Sequence, residues 1–138
     1  LCIAKGQPAL NEQRIDAPLL RYTLASGERR VKVDAQDAQA KESQTDIIVH
    51  GRFMLTNQPV SLIEAKPLTG RTHQIRVHLA HIGHAILGDD KYNVHDKSGV
   101  HRLCLHAWRL DIPGYETITA PLPDEMVAWL PADIKLPE

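Results

Sequence analysis

The chain has 138 residues, of which 43% are hydrophobic and 24% charged, and its net charge is −1. This length suits one domain, and this composition is typical of a globular protein, which excludes a disordered or fibrous chain. No apolar run approaches the roughly 20 residues of a bilayer-spanning helix, and two cysteines are too few for a disulfide framework. We therefore expect one globular, cytoplasmic domain without a membrane partner.

The charges are unevenly distributed along the chain. Residues 60–110 carry seven Lys or Arg against four Asp or Glu, whereas residues 111–138 carry one against six. Seven of the eight histidines lie between residues 73 and 106, within the basic segment. On charge alone a solvated, mixed-charge surface is the simpler interpretation, although a basic stripe would also suit contacts with phosphates.

The first half of the chain predicts short strands separated by loops. Alternating apolar and polar residues favour an edge strand at 29–34. Residues 9–28 show no sustained period and predict a loop, and residues 35–44 predict a polar connector. The other predicted strands are 1–4, 45–49, 53–55 after a turn at Gly51, and 60–66.

After the last of these strands the period changes to that of a helix. Ile75, Leu79 and Ile82 fall on one helical face. Thr72 is the expected N-cap and Gly83 the C-terminal stop. Further elements are a short apolar segment at 85–87, strands at 103–112 and 117–120, and a helix at 124–130 capped by Asp124. Many strands with few helices predict an α+β fold with a mixed, mainly antiparallel sheet.

Residues 66–79 combine a strand, a glycine turn and a helix start. Gly70 permits the bend, and the first turn of the helix offers free N–H groups and the positive end of the helix dipole to an anion. Arg71 and His73 lie beside that position, and Arg76 follows where its guanidinium could hold a carboxylate or phosphate through two bonds. The stretch therefore predicts anion binding, with an amphipathic helix that exposes a polar face as the alternative.

Three motifs occur in order: GRTHQIRVHL at 70–79, LGDDxY at 87–92 and RLCLHA at 102–107. Together they resemble the RluA family of RNA pseudouridine synthases, and the resemblance extends from residue 1 to about residue 123. Residues 15–19 and 31–34 are similar to the ribosomal large-subunit, RluC-like members of that family. Asn93 departs from the pattern, because a glycine usually follows the tyrosine, and this departure affects only a turn.

The resemblance implies an isomerase that flips a uridine out of structured RNA, breaks its glycosidic bond and rejoins the base through carbon. An aspartate is the catalytic group of the family, and neither a metal nor an organic cofactor is used. By the match, Arg76 pairs with that aspartate and keeps its carboxylate charged, and Leu105 lines the uracil pocket. Arg71, His73 and Gln74 are the candidates for contact with RNA, which the resemblance implies is large-subunit ribosomal RNA.

The family's catalytic aspartate and active-site tyrosine lie upstream of the strand that corresponds to residues 1–4. The chain opens on that apolar run without a methionine, which is typical of the middle of a strand. We therefore expect residues 1–138 to be the second half of a catalytic domain, without the N-terminal half that bears the aspartate and without an S4-like RNA-binding domain. On this interpretation the parent protein is an enzyme and the isolated chain is inactive.

Two other functions remain open. The first is a metal site, because four histidines are closely spaced, at positions 73, 78, 81 and 84. Zinc hydrolases favour a His pair four residues apart with an intervening glutamate, and no acidic residue lies between Lys66 and Gly88. Solvated or RNA-facing histidines are the simpler interpretation, and no metal is expected. The second is a non-catalytic RNA-binding module, which would keep the basic helix start without a nucleophile.

Several other residues have a plain structural interpretation. Trp108 and Trp129 have apolar neighbours and predict core packing rather than base stacking. His106 predicts a hydrogen-bonded structural residue. Asp89 and Asp90 predict a turn rather than an acidic metal-binding pair.

Overall fold

Short strands dominate the computed structural model, which describes residues 1–137. In chain order the elements are β1 (Cys2–Lys5), β2 (Glu12–Asp16), β3 (Leu19–Thr23), β4 (Arg29–Val33), β5 (Gln44–Leu55), β6 (Gln58–Pro67), α1 (Gln74–His81), β7 (Arg109–Leu110), β8 (Ile118–Thr119) and α2 (Asp124–Val127). The α+β class is confirmed, and the pairing is antiparallel. In the part of the chain that the structure describes, none of the helices has the length and apolar character that a membrane span requires.

One four-stranded sheet, in the order β1-β6-β5-β2, forms the centre of the fold. β5 and β6 make a long hairpin whose turn residues, Thr56 and Asn57, have φ angles of 48° and 62°. Two consecutive positive φ angles are typical of a type I′ turn, which matches the twist of paired strands. The β3–β4 and β7–β8 hairpins form two further, two-stranded sheets.

β5 runs unbroken through Gly51, so the turn predicted there between two shorter strands is wrong. Its register with β6 shifts between Val49 and Gly51, as in a β-bulge. A Cβ atom on Gly51 would lie 2.2 Å from Cδ1 of Ile134, so only glycine allows that side chain to pack there. The glycine marks a bulge and a close approach, not the end of a strand.

Residues 9–28 contain β2 and β3 where the sequence predicted a loop. In β2 only Ile15 is buried, because this strand is an outer edge of the sheet. β3 pairs with β4, which was predicted, and this hairpin packs Leu19 and Val31 against Val77 of α1. Since so few side chains of β2 and β3 reach the core, their alternation is too weak to identify them in the sequence.

The outer edge of β1 is covered by two later segments of the chain. Ile3 accepts the N–H of Leu87 at 2.9 Å and donates its own to the carbonyl of Cys104 at 3.1 Å. The strand predicted at 103–112 is therefore largely wrong, because only β7 within it is regular. The residues before β7 instead follow β1 through an isolated bridge between Cys2 and Leu105.

The core gathers side chains from β1, β6, α1, α2 and the apolar segment predicted at 85–87. Its fully buried members include Ile3, Leu62, Leu79, Ile86 and Met126. Trp108 and Trp129 pack against this cluster, which confirms their structural interpretation.

α1 begins at Gln74, and the predicted cap at Thr72 is wrong. The capping position is occupied by His73, whose φ of 52° and ψ of 22° lie in the left-handed region. The apolar face of the helix packs against the core as predicted, and Gly83 ends the helix with a φ of 86°. The helix predicted at 124–130 is shorter, because α2 spans four residues, and the cap predicted at Asp124 is wrong, because Asp124 is the first helical residue and Pro123 occupies the N-cap.

His78 is fully buried on α1, so a solvated or RNA-facing position is wrong for this histidine. Its Nε2 lies 2.9 Å from the carbonyl of Ala17, and its Nδ1 lies 2.7 Å from Oγ1 of Thr45. Because a carbonyl only accepts, Nε2 carries the hydrogen of a neutral ring, and Nδ1 accepts from the Thr45 hydroxyl. Burial lowers the pKa of His78, although the bond to Ala17 opposes this.

The lowered pKa of His78 predicts that the chain loses stability as the pH falls. The unfolded chain binds a proton on this residue near its ordinary pKa of about 6.5, while the folded chain does so only at lower pH. The free energy of unfolding should therefore decline as the pH falls from 7.5 to 5, and His78→Gln should make that decline shallower. Urea titrations across this range measure it. Val94→Ala, a substitution at an exposed and uncharged residue, should keep the wild-type slope, and an unchanged slope in His78→Gln would contradict the prediction.

Candidate active-site pocket and nucleic-acid interface

The site lies where β6 ends and the turn of residues 68–73 leads into α1, and Gln74 supports this turn from inside. Its Oε1 accepts the Thr69 hydroxyl at 2.7 Å and the N–H of Arg71 at 3.0 Å. Its Nε2 donates to the carbonyl of Gln44 at 2.8 Å and to Thr45 Oγ1 at 3.0 Å. The amide of Gln74, which the resemblance assigned to RNA contact, is thus fully hydrogen-bonded within the chain, and the residue is 4% exposed.

Arg76 and Asp89 form a buried ion pair. Nε and Nη2 of Arg76 lie 3.0 Å and 2.6 Å from the two carboxylate oxygens of Asp89. The Asp89 side chain is 0% exposed, and its Oδ1 also accepts the N–H groups of Lys91 and Tyr92. Burial opposes ionisation, but these hydrogen bonds outweigh it and lower the pKa of Asp89. Asp89 lies in a turn as predicted, and it is also the fixed anion opposite Arg76.

Tyr92 connects Arg76 with the start of α1 and with β4. Its ring centre lies 5.2 Å from Cζ of Arg76, within cation–π range. Its hydroxyl accepts the N–H of Val31 at 3.1 Å and lies 2.8 Å from Nδ1 of His73. Burial and then the charge of Arg76 lower the pKa of His73, which favours a neutral ring whose Nδ1 accepts the Tyr92 hydroxyl proton.

A pocket of about 310 Å³ opens beside these groups. Its lining is Pro67, Thr69, Gly70, Arg71, His73, Gln74, Ile75, Arg76 and Leu105. All five residues that the resemblance assigned to the site therefore meet at one surface. The volume is at the lower end of ligand pockets, which span about 300–1,000 Å³, and the wall formed by Ile75 and Leu105 is apolar.

A second concavity, which we call the basic groove, lies between the β3–β4 hairpin and the turn before α1. It measures about 590 Å³ and includes the cationic side chains of Arg21, Arg29, Lys41 and Arg71. Within residues 1–137, its lining contains no acidic residue, and the side chains of Arg21, Arg29 and Lys41 form no ion pair. Gly70 and Arg71 line both the groove and the pocket, so the two are adjacent.

The sequence interpretation missed three of the four cations of the basic groove. Arg21 lies in a segment predicted as a loop, and Lys41 lies in the polar connector. The signal available was that Leu19, Arg21 and Thr23 occupy alternate positions of β3 and so share one face. Arg29 pairs with Thr23 and therefore lies on that same face of the hairpin. That signal has value only once the pairing of β3 with β4 is known.

Three of the four histidines considered for a metal site have separate partners. His73 is bonded to Tyr92, His78 to Thr45, and Nδ1 of His84 lies 2.9 Å from the Lys5 carbonyl. In residues 1–137, no three His, Cys, Asp or Glu side chains gather as a metal site would require. Farther along, Nε2 of His106 is bonded to the carbonyl of Ala120 at 3.0 Å, as its structural interpretation predicted.

Comparison with known proteins identifies the family. The family model described as RNA pseudouridylate synthase matches residues 1–81, and the chain therefore belongs to that family. Among curated proteins it is 39% identical over 137 residues to "ribosomal large subunit pseudouridine synthase C" of Yersinia pestis, which covers 91% of this chain and 41% of that protein. The protein of the same name from Escherichia coli K12 is 37% identical over 115 residues, covering 78% and 34%. The resemblance carried by the motifs is confirmed.

Solved structures share the fold. "Human RNA Pseudouridylate Synthase Domain Containing 1" superposes with a TM-score of 0.79 at 28% identity, covering 99% of this chain and 60% of that one. "Human RNA Pseudouridylate Synthase Domain Containing 4" gives 0.68 at 24% identity, with 91% and 57% covered, and is a likeness of fold alone. The chain spans about two fifths of the length of the curated relatives it matches.

The bonds of Gln74 predict that its side chain stabilises the fold. Gln74→Ala would leave the N–H of Arg71 and the hydroxyl of Thr69 without their acceptor, which costs about 1–3 kcal/mol for a buried group. We expect the free energy of unfolding to fall by about that amount in denaturant titrations. Thr72→Ala, an exposed change in the same turn, should stay within about 0.5 kcal/mol of the wild type. Equal stability of the two variants would contradict the assignment.

Proposed function

We propose that the chain is part of a catalytic domain that isomerises uridine to pseudouridine in large-subunit ribosomal RNA. The observation that carries the proposal is the meeting of Arg76, Leu105 and the turn before α1 at one pocket, in a chain of the RNA pseudouridylate synthase family. The substrate is taken from the relatives named ribosomal large subunit pseudouridine synthase C. A cytoplasmic location accords with such a substrate.

For this reaction the protein has to bind the flipped uracil and keep a catalytic carboxylate ionised. Isomerisation breaks the bond between the ribose and N1 of uracil and forms one to C5, while C5 loses its hydrogen as a proton and N1 gains a proton, so atoms and oxidation state are conserved and no cofactor is needed. A flipped uracil would lie against Ile75 and Leu105 in the pocket. Arg76 would hold a catalytic carboxylate in its ionised form and aim it at the nucleotide.

In this proposal residues 1–138 supply the arginine and the pocket wall. The carboxylate belongs to a part of the full-length parent protein that corresponds to the segment of the relatives that this chain does not cover. The catalytic domain would thus be partial, and the isolated chain inactive. His73 and Arg71 remain candidates for RNA contact, because both line the pocket and Arg71 is exposed. Gln74 would act on RNA only indirectly, by holding the turn that bears Arg71.

The basic groove is the proposed path of the RNA backbone. Its cations would contact phosphates beside the flipped nucleotide, since the groove and the pocket share Gly70 and Arg71 as lining residues. The same groove favours the second candidate function, a non-catalytic RNA-binding module, because it is formed wholly by residues of this chain. The two functions differ in whether Arg76 matters for turnover.

The role of Arg76 predicts a large loss of activity on its removal. In the full-length parent protein, Arg76→Ala should lower kcat for pseudouridine formation by about 100-fold or more, as loss of a fixed charge in an active site does. Conversion of uridine in large-subunit ribosomal RNA measures this. Arg14→Ala, on β2 and outside both the groove and the pocket, should remain active. Wild-type turnover in Arg76→Ala would contradict the enzymatic assignment, and an inactive wild-type parent that still binds RNA would favour the binding module.

The basic groove predicts a change in the salt dependence of RNA binding. Each phosphate contact contributes about 0.7–0.9 to the slope of log affinity against log salt. In the full-length protein, Arg29→Ala and Arg71→Ala should each weaken binding and reduce that slope by about one. Filter-binding titrations between 50 and 200 mM salt, about the range where such contacts dominate, provide the measurement. Arg14→Ala is the matched control, and a groove variant with the wild-type slope would exclude that arginine from the RNA path.

A further inference from the structure

Arg76 has more donors than Asp89 uses. A guanidinium carries five N–H groups in one plane, and Asp89 takes those on Nε and Nη2. Within residues 1–137 no hydrogen bond engages Nη1, and Arg76 lines the pocket. One edge of the guanidinium is therefore fixed by Asp89, while Nη1 is left for a group that enters the pocket.

Two bonds along one edge do not fix the tilt of the guanidinium plane. The ring of Tyr92, centred 5.2 Å from Cζ of Arg76, restricts that tilt by contact and by cation–π attraction. Tyr92 itself does not line the pocket. Its influence on a bound nucleotide must therefore pass through the lining residues that it contacts, Arg76 and His73.

Tyr92 is in turn held from two directions. Its N–H donates to Oδ1 of Asp89 at 3.1 Å, which links its backbone to the same anion that holds Arg76. Its hydroxyl is bonded to the N–H of Val31 at 3.1 Å and to Nδ1 of His73 at 2.8 Å. Val31 belongs to β4 and lines the basic groove. The wall of the groove is thus bonded directly to the ring that contacts Arg76.

Further contacts fasten the same loop to the β3–β4 hairpin. Nζ of Lys91 lies 2.9 Å from a carboxylate oxygen of Glu28, in the turn of the hairpin. Nη1 of Arg30 donates to the carbonyl of Lys91 at 3.4 Å. A displacement of the hairpin would therefore be carried to the loop that contains Asp89 and Tyr92.

We propose that Tyr92 is a positioning residue that couples occupation of the basic groove to the orientation of Arg76 in the pocket. RNA phosphates bound by the hairpin draw β4 into one position, its Val31 N–H holds the Tyr92 hydroxyl, and the ring then fixes the guanidinium plane with Nη1 directed at the pocket. The inference rests on the proposed function of Arg76 and adds a residue that the motifs alone do not assign to catalysis.

The test uses two substitutions in the full-length parent protein. Tyr92→Phe keeps the ring and removes the bonds to Val31 and His73, while Tyr92→Leu removes the ring as well. We expect kcat for pseudouridine formation to fall by about tenfold in Tyr92→Phe and by about 100-fold in Tyr92→Leu, since small misplacements of a catalytic group have effects of this size. The KM for RNA should change by less than about twofold, because the cations of the groove are unaltered. Tyr115→Phe, at an exposed tyrosine, should match the wild type.

A double-substitution cycle separates positioning from a merely structural role. If Tyr92 acts through Arg76, Tyr92→Leu should have much less effect on kcat in an Arg76→Lys background, where no guanidinium plane remains to orient. Equal, additive losses in the two backgrounds would overturn the inference. So would wild-type kcat in Tyr92→Leu while Arg76→Ala is inactive, a result that leaves the proposed function intact. Activity retained in Arg76→Ala would instead remove the proposed function itself.

A third variant keeps the inference testable if Tyr92→Leu does not fold. If thermal unfolding shows that Tyr92→Leu does not fold, Tyr92→Phe and Glu28→Gln decide. Glu28→Gln weakens the ion pairs of Glu28 with Lys91 and with Arg30, and thereby loosens the attachment of the loop to the hairpin from outside. It should lower kcat in the same sense, by a few-fold, with KM for RNA unchanged. Wild-type kcat in both folded variants would overturn the inference.

Discussion

The ion pair between Arg76 and Asp89 is the interaction on which the rest of the site depends. Removing two charges from water is costly, and a buried pair is tolerated only when its remaining donors and acceptors are satisfied. Asp89 meets that condition, because it accepts two N–H groups of its own loop in addition to the guanidinium. The pair therefore fixes the loop against α1, and loss of either partner would leave an uncompensated buried charge, which costs about 3–5 kcal/mol.

The backbone at the start of α1 is strained in support of the same site. A non-glycine residue in the left-handed region costs about 1–3 kcal/mol and persists only where its surroundings determine it. His73 is held there by two sets of contacts: Gln74 fixes the preceding turn, and Tyr92 bonds the imidazole. An ordinary cap at Thr72 would start the helix one residue earlier. The left-handed turn instead directs His73 toward Tyr92 and places it on the wall of the pocket.

How far the sequence could predict this structure depended on whether the signal was local. The helical face of α1 and its stop at Gly83 follow from a period of 3.6 and from one glycine, and both are confirmed. β2 and β3 were missed because few of their side chains are buried. The burial of His78 was missed because its partners, Thr45 and Ala17, lie 33 and 61 residues away. The motifs predicted which residues form the pocket, but they could not show that Arg76 is already paired within the chain.

The distribution of charge explains why a chain with a net charge of −1 can present a surface suited to RNA. Two acidic groups near the site are used internally: Asp89 by Arg76, and Glu28 by Lys91 and Arg30. Within residues 1–137, Arg21, Arg29 and Lys41 of the groove form no ion pair, so the potential there is set by local positive charge rather than by the total. Glu28 also attaches the hairpin to the loop beside Arg76 through Lys91. The same carboxylate therefore neutralises charge within the fold and joins the groove to the pocket.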